Sequence, residues 1–362
     1  MKDRKGVRMK QKYESIRPGQ VWLDTKGERI QAHGGSVMFW DGWYYWYGEN
    51  KEFTDLGEKL WHWGVRCYRS QDLYNWEDLG VIVPPCPDDP SSPLHPTSKM
   101  DRPHIIYNTK TKKFVCWLKI MERDFSQTET ILTADAITGP YTMVKNGFKP
   151  LGISGGDFDL VVAEDGKAYY YFEHPHSEVI CAELTEDYTD VTGVYSTHFP
   201  GQQPPYAREA PAHFVRNGKH YLFTSGTTSK FPNPSEVAVA DSWHGPFRVL
   251  GDPHGEDESR TSYHSQISSV LKVEGKKDLY IACADRWRPQ NMDVKYEEYE
   301  KYFCDMFNKD TPKDQQEASR KGYAALPLAY TREADYVWLP LRFDGEMVYL
   351  DWHDEWKISD YE

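Results

Sequence analysis

One pattern constrains this chain more than any other: a tight turn of Asp, Asn, Lys and Gly residues runs straight into an aromatic strand, and the unit recurs along the sequence. It appears as Asp41-Gly-Trp-Tyr-Tyr-Trp-Tyr, Thr111-Lys-Lys-Phe-Val-Cys-Trp and Asp165-Gly-Lys-Ala-Tyr-Tyr-Tyr-Phe. It returns as Asn217-Gly-Lys-His-Tyr-Leu-Phe, Gly275-Lys-Lys-Asp-Leu-Tyr-Ile and Asp344-Gly-Glu-Met-Val-Tyr-Leu. The copies lie roughly 50 to 70 residues apart, a period that fits propeller blades with loops of variable length. A weaker echo marks the turn into an outer strand of the same blade: Ser70-Gln-Asp-Leu-Tyr-Asn-Trp, Ala134-Asp-Ala-Ile-Thr-Gly-Pro-Tyr and Ala240-Asp-Ser-Trp-His-Gly-Pro-Phe. The repeat runs almost end to end without a linker, so the 362 residues are expected to form one large all-β domain.

Composition narrows the function. Aromatics are 15% of the chain, with 13 Trp and 25 Tyr. That suits β-structure, where most of the rings are expected to fill blade cores, and it suits sugar binding, because Trp and Tyr present flat apolar faces beside a polar atom. A net charge of −13 without a basic stripe argues against nucleic acid as a partner. Cys67, Cys86, Cys116, Cys181, Cys283 and Cys304 are scattered, several within apolar strands, and are expected to be free thiols. Met1 to Lys12 is basic but lacks an apolar core, and no 18 apolar residues run together. The expectation is therefore a cytoplasmic protein with no membrane partner, or a secreted or periplasmic one if a leader precedes this sequence. The sequence does not speak to oligomeric state.

Residues 1–18 are expected to form a polar arm and 19–362 the propeller domain. In the first repeat, Ile30-Gln-Ala-His-Gly-Gly leads into a strand whose partner ends in Tyr47-Gly-Glu, leaving Glu49 just beyond an aromatic run. After a Pro-, Ser- and Asp-rich loop at 83–98, Asp101 and Arg102 precede the next strand, and Pro103 is tolerated at a strand's first residue. Asp157, Arg208-Glu209 and Gln266 occupy the corresponding places in the later repeats. Radially arranged blades would bring these strand heads together at one end of the axis. Between about 289 and 325 the pattern turns helical and polar, which predicts an insertion in the last blade. The segment Asp351-Trp-His-Asp-Glu-Trp is expected to close the ring.

Carboxylates converging beside aromatic faces are what glycoside cleavage needs: a proton donor for the leaving oxygen, a base for water, and a charge that tunes the donor. Glu209, held in an Arg-Glu-Ala-Pro turn, is the best candidate for the acid, and a neighbouring carboxylate such as Asp157 would raise its pKa by repulsion. Nothing in the sequence has the form of a metal motif, a phosphate loop or a Gly-x-Ser-x-Gly elbow. No cofactor is called for, and a structural calcium has no motif pointing to it.

The ordered set Ala32-His-Gly-Gly, Asp101-Arg-Pro, Ser154-Gly-Gly-Asp, Arg208-Glu-Ala-Pro, Ser265-Gln, Asp285-Arg-Trp and Tyr336-Val-Trp-Leu-Pro-Leu resembles glycoside hydrolase family 43. Within that family it is most similar to the branch containing exo-β-1,3-galactanases, over roughly residues 18–357. The resemblance implies a five-bladed β-propeller, an inverting mechanism and a funnel-shaped site that takes an oligosaccharide or polysaccharide. It implies Glu209 as general acid, Asp157 as its pKa modulator, and Gln266 as the group that positions or, as an imidic acid, activates the water. For the base, Glu49 and His33 are the alternatives. Glu49, Asp101, His33, Arg102, Thr227, Arg286 and Trp287 are implied as substrate contacts. The chain departs from the branch in having Asp101 where Glu is usual and Ser225-Gly-Thr-Thr-Ser-Lys where a Cys-Thr-Gly-Trp segment is common. Rival readings are a family 43 enzyme for arabinofuranosyl, xylosyl or galactofuranosyl residues and a non-catalytic glycan-binding propeller.

Overall fold

The computed structural model describes residues 12–57, 59–328 and 330–362, so most of the expected N-terminal arm lies outside the described residues. The recurring turns are hairpin loops, and those at Asp41 and Asn217 are two-residue turns. Asp41 and Gly42 both have positive φ (47° and 79°), as do Asn217 and Gly218 (51° and 73°), the geometry that matches the right-handed twist of flanking strands. Each hairpin joins the first and second strands of a blade.

Four blades are four-stranded antiparallel sheets in sequence order. They comprise β1 (His33–Trp40), β2 (Trp43–Glu49), β3 (Val65–Ser70) and β4 (Glu77–Val83); β5 (Lys99–Asn108), β6 (Lys113–Met121), β7 (Gln127–Ala134) and β8 (Thr142–Phe148). Next come β9 (Phe158–Val162), β10 (Ala168–His174), β11 (Glu178–Leu184) and β12 (Val191–His198); then β13 (Glu209–Arg216), β14 (Lys219–Ser225), β15 (Ser235–Ala240) and β16 (Arg248–Gly251). The fifth blade has three strands, β17 (Gln266–Lys272), β18 (Tyr280–Arg286) and β19 (Asp335–Pro340). The protein is thus a five-bladed β-propeller. The sixth copy of the turn signature, at Asp344-Gly345, differs from the others: it joins β20 (Arg342–Asp344) to β21 (Met347–Tyr349), a separate two-stranded hairpin. Its apolar residues Phe343, Met347 and Val348 pack on the cluster shared by blades four and five.

Period-two alternation explains why the aromatic runs lack polar breaks: both faces of each central strand are buried between blades. In β10, Tyr170 and Phe172 enter the cluster shared with blade two, while Tyr169 and Tyr171 enter the one shared with blade four. Trp46 and Tyr47 divide in the same way between blades five and two. The innermost strands β1, β5, β9, β13 and β17 contact one another in turn, and β1 meets β17 to complete the ring.

Closure is made by chain ends. Ile16 pairs with Trp356, Gly19 N donates to Tyr336 O at 2.7 Å, and Trp356 Nε1 donates to Trp338 O at 2.9 Å. Trp22, Trp46, Trp76 and Trp338 meet at tilted or edge-on angles behind this seam, which seats the rings without a face-to-face sandwich.

The insertion between β18 and β19 contains α1 (Tyr296–Phe307) and α2 (Lys313–Ala324). Tyr296, Tyr299 and Phe303 recur at helical spacing on the buried face of α1. A Cβ on Gly322 would meet the Tyr302 ring at 2.5 Å, so glycine lets the two helices touch. All six cysteines are free, with Cys67, Cys116, Cys181 and Cys283 buried.

Trp356→Ala should lower the unfolding free energy by about 3–5 kcal/mol, since it removes a buried ring and strands the Trp338 carbonyl at the seam. Urea denaturation measures this, and a loss below about 1 kcal/mol would show that the ring closes without it.

Candidate active site

The strand heads are aimed by a repeated irregularity. Pairing slips between His33 and Ser36 in β1, between Asp101 and His104 in β5, and between Glu209 and Ala212 in β13. The residue after each head is left-handed: Gly34 (φ 60°), Arg102 (φ 52°) and Ala210 (φ 49°). Such bulges bend a strand and re-aim its side chains. Gly34 is doubly required, because a Cβ there would also lie 2.5 Å from Glu49 Oε1. Arg102 and Ala210 hold a conformation that side-chain-bearing residues adopt only at a cost of about 1–2 kcal/mol, a strain characteristic of functional sites.

A second ring of residues stands beside the heads. Across the first hairpin of each blade, His33 faces Glu49, Asp101 faces Lys119, Glu209 faces Ser225 and Gln266 faces Asp285. Asp157 O accepts from Glu173 N at 2.9 Å, completing the set. Lys119 and Glu173 were not singled out in the sequence, yet a signal existed. Glu49, Lys119, Glu173 and Ser225 each stand seven residues after the second turn residue, at Gly42, Lys112, Gly166 and Gly218.

These residues line a cavity of about 440 Å³ at one end of the axis. Glu49, Asp101, Arg102, Asp157, Glu209, Thr227, Gln266 and Trp287 are all on its wall, joined by Lys51, Trp61, Lys119 and Glu173. Two expected sugar contacts are not. His33 is fully buried below the wall, its ring stacked on Tyr336 at 4.9 Å and its nitrogens 3.2 Å from Asp285 Oδ1 and Gln31 Oε1. Burial lowers its pKa. Arg286, next to Asp285 on β18, takes the opposite strand face and donates to the carbonyls of Gly19 and Tyr263 at 3.4 and 2.9 Å.

Within the cavity the charges are tightly partnered. Asp157 lies between Arg102 Nη2 at 2.6 Å and Lys119 Nζ at 2.7 Å. Lys119 also reaches Asp101 at 3.4 Å, and Trp61 Nε1 donates to Asp101 at 2.6 Å. Glu49 pairs with Lys51 at 2.7 Å and accepts the Arg102 backbone N–H at 3.1 Å. Gln266 bridges this network to Glu209: its oxygen accepts from Arg102 (2.6 Å) and Trp287 (3.3 Å), while its nitrogen donates to Ser225 (2.9 Å) and Glu209 (3.2 Å). Thr227 Oγ1 donates to Ala207 O at 2.8 Å.

The carboxyls consequently separate in acidity. Burial, then the charges of Glu173 and Asp157, raise Glu209 well above the usual range. Burial and Asp157 raise Glu173 to about 7. Burial would raise Asp157 too, but Arg102 and Lys119 outweigh it and hold it low. Burial likewise raises Glu49 to about 7 against the pull of Lys51. The arrangement is a protonated carboxyl beside ionised, cation-held ones in a concave pocket, which suits proton donation to a leaving oxygen. Among the described residues no group of three or more His, Cys, Asp or Glu could hold a metal ion, and no helix is long and apolar enough to cross a membrane.

Residues 31–292 match the profile of the glycosyl hydrolases of family 43. Two solved family 43 β-1,3-galactosidases superpose with a TM-score of 0.75. One is 27% identical over 97% of this chain and 65% of its own, and the other, solved with galactodeoxynojirimycin, is 26% identical over 95% and 100%. A Phanerochaete chrysosporium exo-β-1,3-galactanase variant solved with β-1,3-galactotriose is 25% identical, with a TM-score of 0.74, over 95% of this chain and 68% of its own. A curated Escherichia coli relative, provisionally named a β-xylosidase, is 24% identical over 63% of this chain, which spans 42% of that protein.

Gly34→Ala should cost about 1–2 kcal/mol of stability through its left-handed backbone and should also displace Glu49. Urea unfolding and a crystal structure of the variant check this; full stability with Glu49 unmoved would remove the bulge from the account of the site.

Proposed function

Because the chain belongs to the glycosyl hydrolases of family 43, we propose that it is an inverting, exo-acting glycosidase that releases terminal galactose from β-1,3-linked galactans or related galactosides. The observation that carries the reading is Glu209, a half-buried carboxyl raised by desolvation and by the charges of Glu173 and Asp157, on the wall of a cavity of about 440 Å³. The galactose specificity draws its support from the galactosidases and galactanases to which the chain is similar.

In this reading Glu209 protonates the glycosidic oxygen as the bond to the anomeric carbon breaks. The ionised Asp157 keeps Glu209 protonated beforehand and favours the positive charge that develops on the sugar. Inversion needs a water on the opposite sugar face, with acid and base about 6.5 to 9.5 Å apart. Gln266 positions that water through its amide. A second reading, with Glu49 as the proton acceptor, is favoured by two observations: Gln266 donates directly to Glu209, and Glu49 is a carboxyl on blade one rather than beside the acid. Lys51, Asp101, Trp61 and Trp287 would contact the sugar.

Glu209→Gln should reduce hydrolysis about 100- to 10,000-fold while sugar binding persists; retention of more than about half the activity would remove it as the acid. Asp157→Asn deletes a charge that raises Glu209 and leaves Arg102 and Lys119 to lower it further. Since Glu209 acts protonated, the basic limb of the pH–kcat/KM profile should move to lower pH, and a stationary limb would refute the coupling. Gln266→Ala should lose most activity and Gln266→Glu regain part of it, whereas an active Gln266→Ala beside an inactive Glu49→Gln would transfer the water to Glu49. Galactosyl, xylosyl and arabinofuranosyl substrates with the product anomer followed by NMR test the sugar and the stereochemistry together.

A further inference from the structure

The cavity wall has one part that the propeller does not supply. Phe303, Met306 and Phe307 of α1 and Tyr323 of α2 line it together with Glu173, His176 and Glu209. Phe303 and Phe307 lie with rings parallel to within 7° at 6.0 Å, and Tyr323 meets Phe303 edge-on at 5.3 Å. Phe307 meets the His176 ring edge-on at 5.0 Å, and His176 N donates to Glu173 at 3.0 Å. The insertion is therefore tied to blade three beside the carboxyl that raises Glu209.

It is tied equally to the blade that carries Glu209. Tyr206 OH donates to Glu300 of α1 at 3.2 Å, Phe231 stacks on Tyr299 at 4.9 Å, and Tyr299 OH donates to the Pro232 carbonyl. These contacts seat α1 over the acid's side of the pocket, while Lys51, Trp61 and Asp101 belong to blades one and two. A general acid must touch the leaving oxygen, so whatever departs lies on its side.

We propose that the insertion builds a leaving-group subsite floored by Phe303, Met306 and Phe307, and that it takes a leaving group with a flat apolar face. This rests on the glycosidase reading. The C–H face of a second pyranose presents such a surface in an oligosaccharide, and an aryl ring presents it in an aryl glycoside. Phe307 supplies the ring and Met306 an adaptable thioether beside it. Phe231, in the segment after Ser225, anchors the helix that brings these side chains in.

The test compares kcat/KM for three substrates sharing one glycosyl group: the glycosyl fluoride, whose leaving group is too small to reach the wall, the 4-nitrophenyl glycoside and the disaccharide. In Phe307→Ala the ratio of disaccharide or aryl glycoside to fluoride should fall about tenfold, and Met306→Ala should move it in the same direction. A fall for the disaccharide alone identifies a pyranose as the occupant, and a fall for the aryl glycoside alone identifies an aryl aglycone. Ratios unchanged for both, in variants whose melting shows an intact fold, overturn the subsite. The ratios are taken within whichever glycosyl series the wild type cleaves, so inactivity on galactosides overturns the galactose reading and leaves this test standing. If no series is cleaved, titration with the methyl and 4-nitrophenyl glycosides makes the same comparison, and equal loss of affinity for both in Phe307→Ala overturns the proposal.

Discussion

The site depends on one buried carboxylate held by two cations. Asp157 sits between Arg102 and Lys119, both contributed by blade two, while Asp157 itself enters from blade three. A buried ion is costly unless its charge and hydrogen bonds are met, and removing one partner of such a group leaves the other uncompensated. The triad therefore locks two blades in register at the mouth of the axis. It also fixes a negative charge where Glu209 feels it. The strain at Arg102, left-handed without being glycine, becomes intelligible: the bulge directs its guanidinium to Asp157 and Gln266 at once, and its N–H to Glu49.

The propeller makes this possible because its blades are interchangeable in architecture and not in chemistry. Every blade buries both faces of its central strands, so those strands have little freedom to carry polar groups. Toward the open end of the first hairpin the pairing slips, and side chains can turn to the axis. There each blade places two residues, the strand head and the one facing it. Function has been written into those positions: His33 and Glu49, Asp101 and Lys119, Asp157 and Glu173, Glu209 and Ser225, Gln266 and Asp285.

The fold and half of this ring were legible in the sequence for a physical reason. Tight turns with positive φ favour Gly, Asn or Asp, and strands buried on both faces require unbroken aromatic and apolar runs, so the repeat shows itself locally. Glu209, Asp157 and Gln266 were visible as polar residues heading such strands, whereas Asp101, expected just before its strand, stands at the bulge two residues inside β5. Lys119 and Glu173 were not, because a charged residue near the end of a strand ordinarily means a solvated turn, and only the ring's radius turns it inward. His33 and Arg286 misled for the converse reason. A head residue normally faces the axis, but the Gly34 bulge turns His33 beneath the wall onto Asp285 and Tyr336. Arg286 is one residue out of phase with Asp285. The copy at Asp344 adds no sixth blade, since its three-residue strands make a hairpin only.

Charge balance explains why Glu209, rather than another carboxyl, carries the proton. Among the described residues the cavity wall holds five carboxyls, Glu49, Asp101, Asp157, Glu173 and Glu209, against four cations, Lys51, Arg102, Lys119 and Lys230. His176 adds no charge near neutrality, because burial lowers its pKa. In a buried site the unmatched carboxyl takes up a proton. Asp157 has Arg102 and Lys119, Glu49 has Lys51, and Asp101 feels Lys119, Lys51 and Lys230. Glu173 accepts only a backbone N–H, and Glu209 accepts only the neutral amide of Gln266 among the contacts at the site. The excess proton thus falls first to Glu209, with Glu173 and Glu49 both raised to about 7 behind it. Glu209 is raised further because it faces both Glu173 and Asp157, whereas Glu173 is held near 7. A second acid beside Asp157 lets the donor stay protonated even though two cations partly neutralise the first.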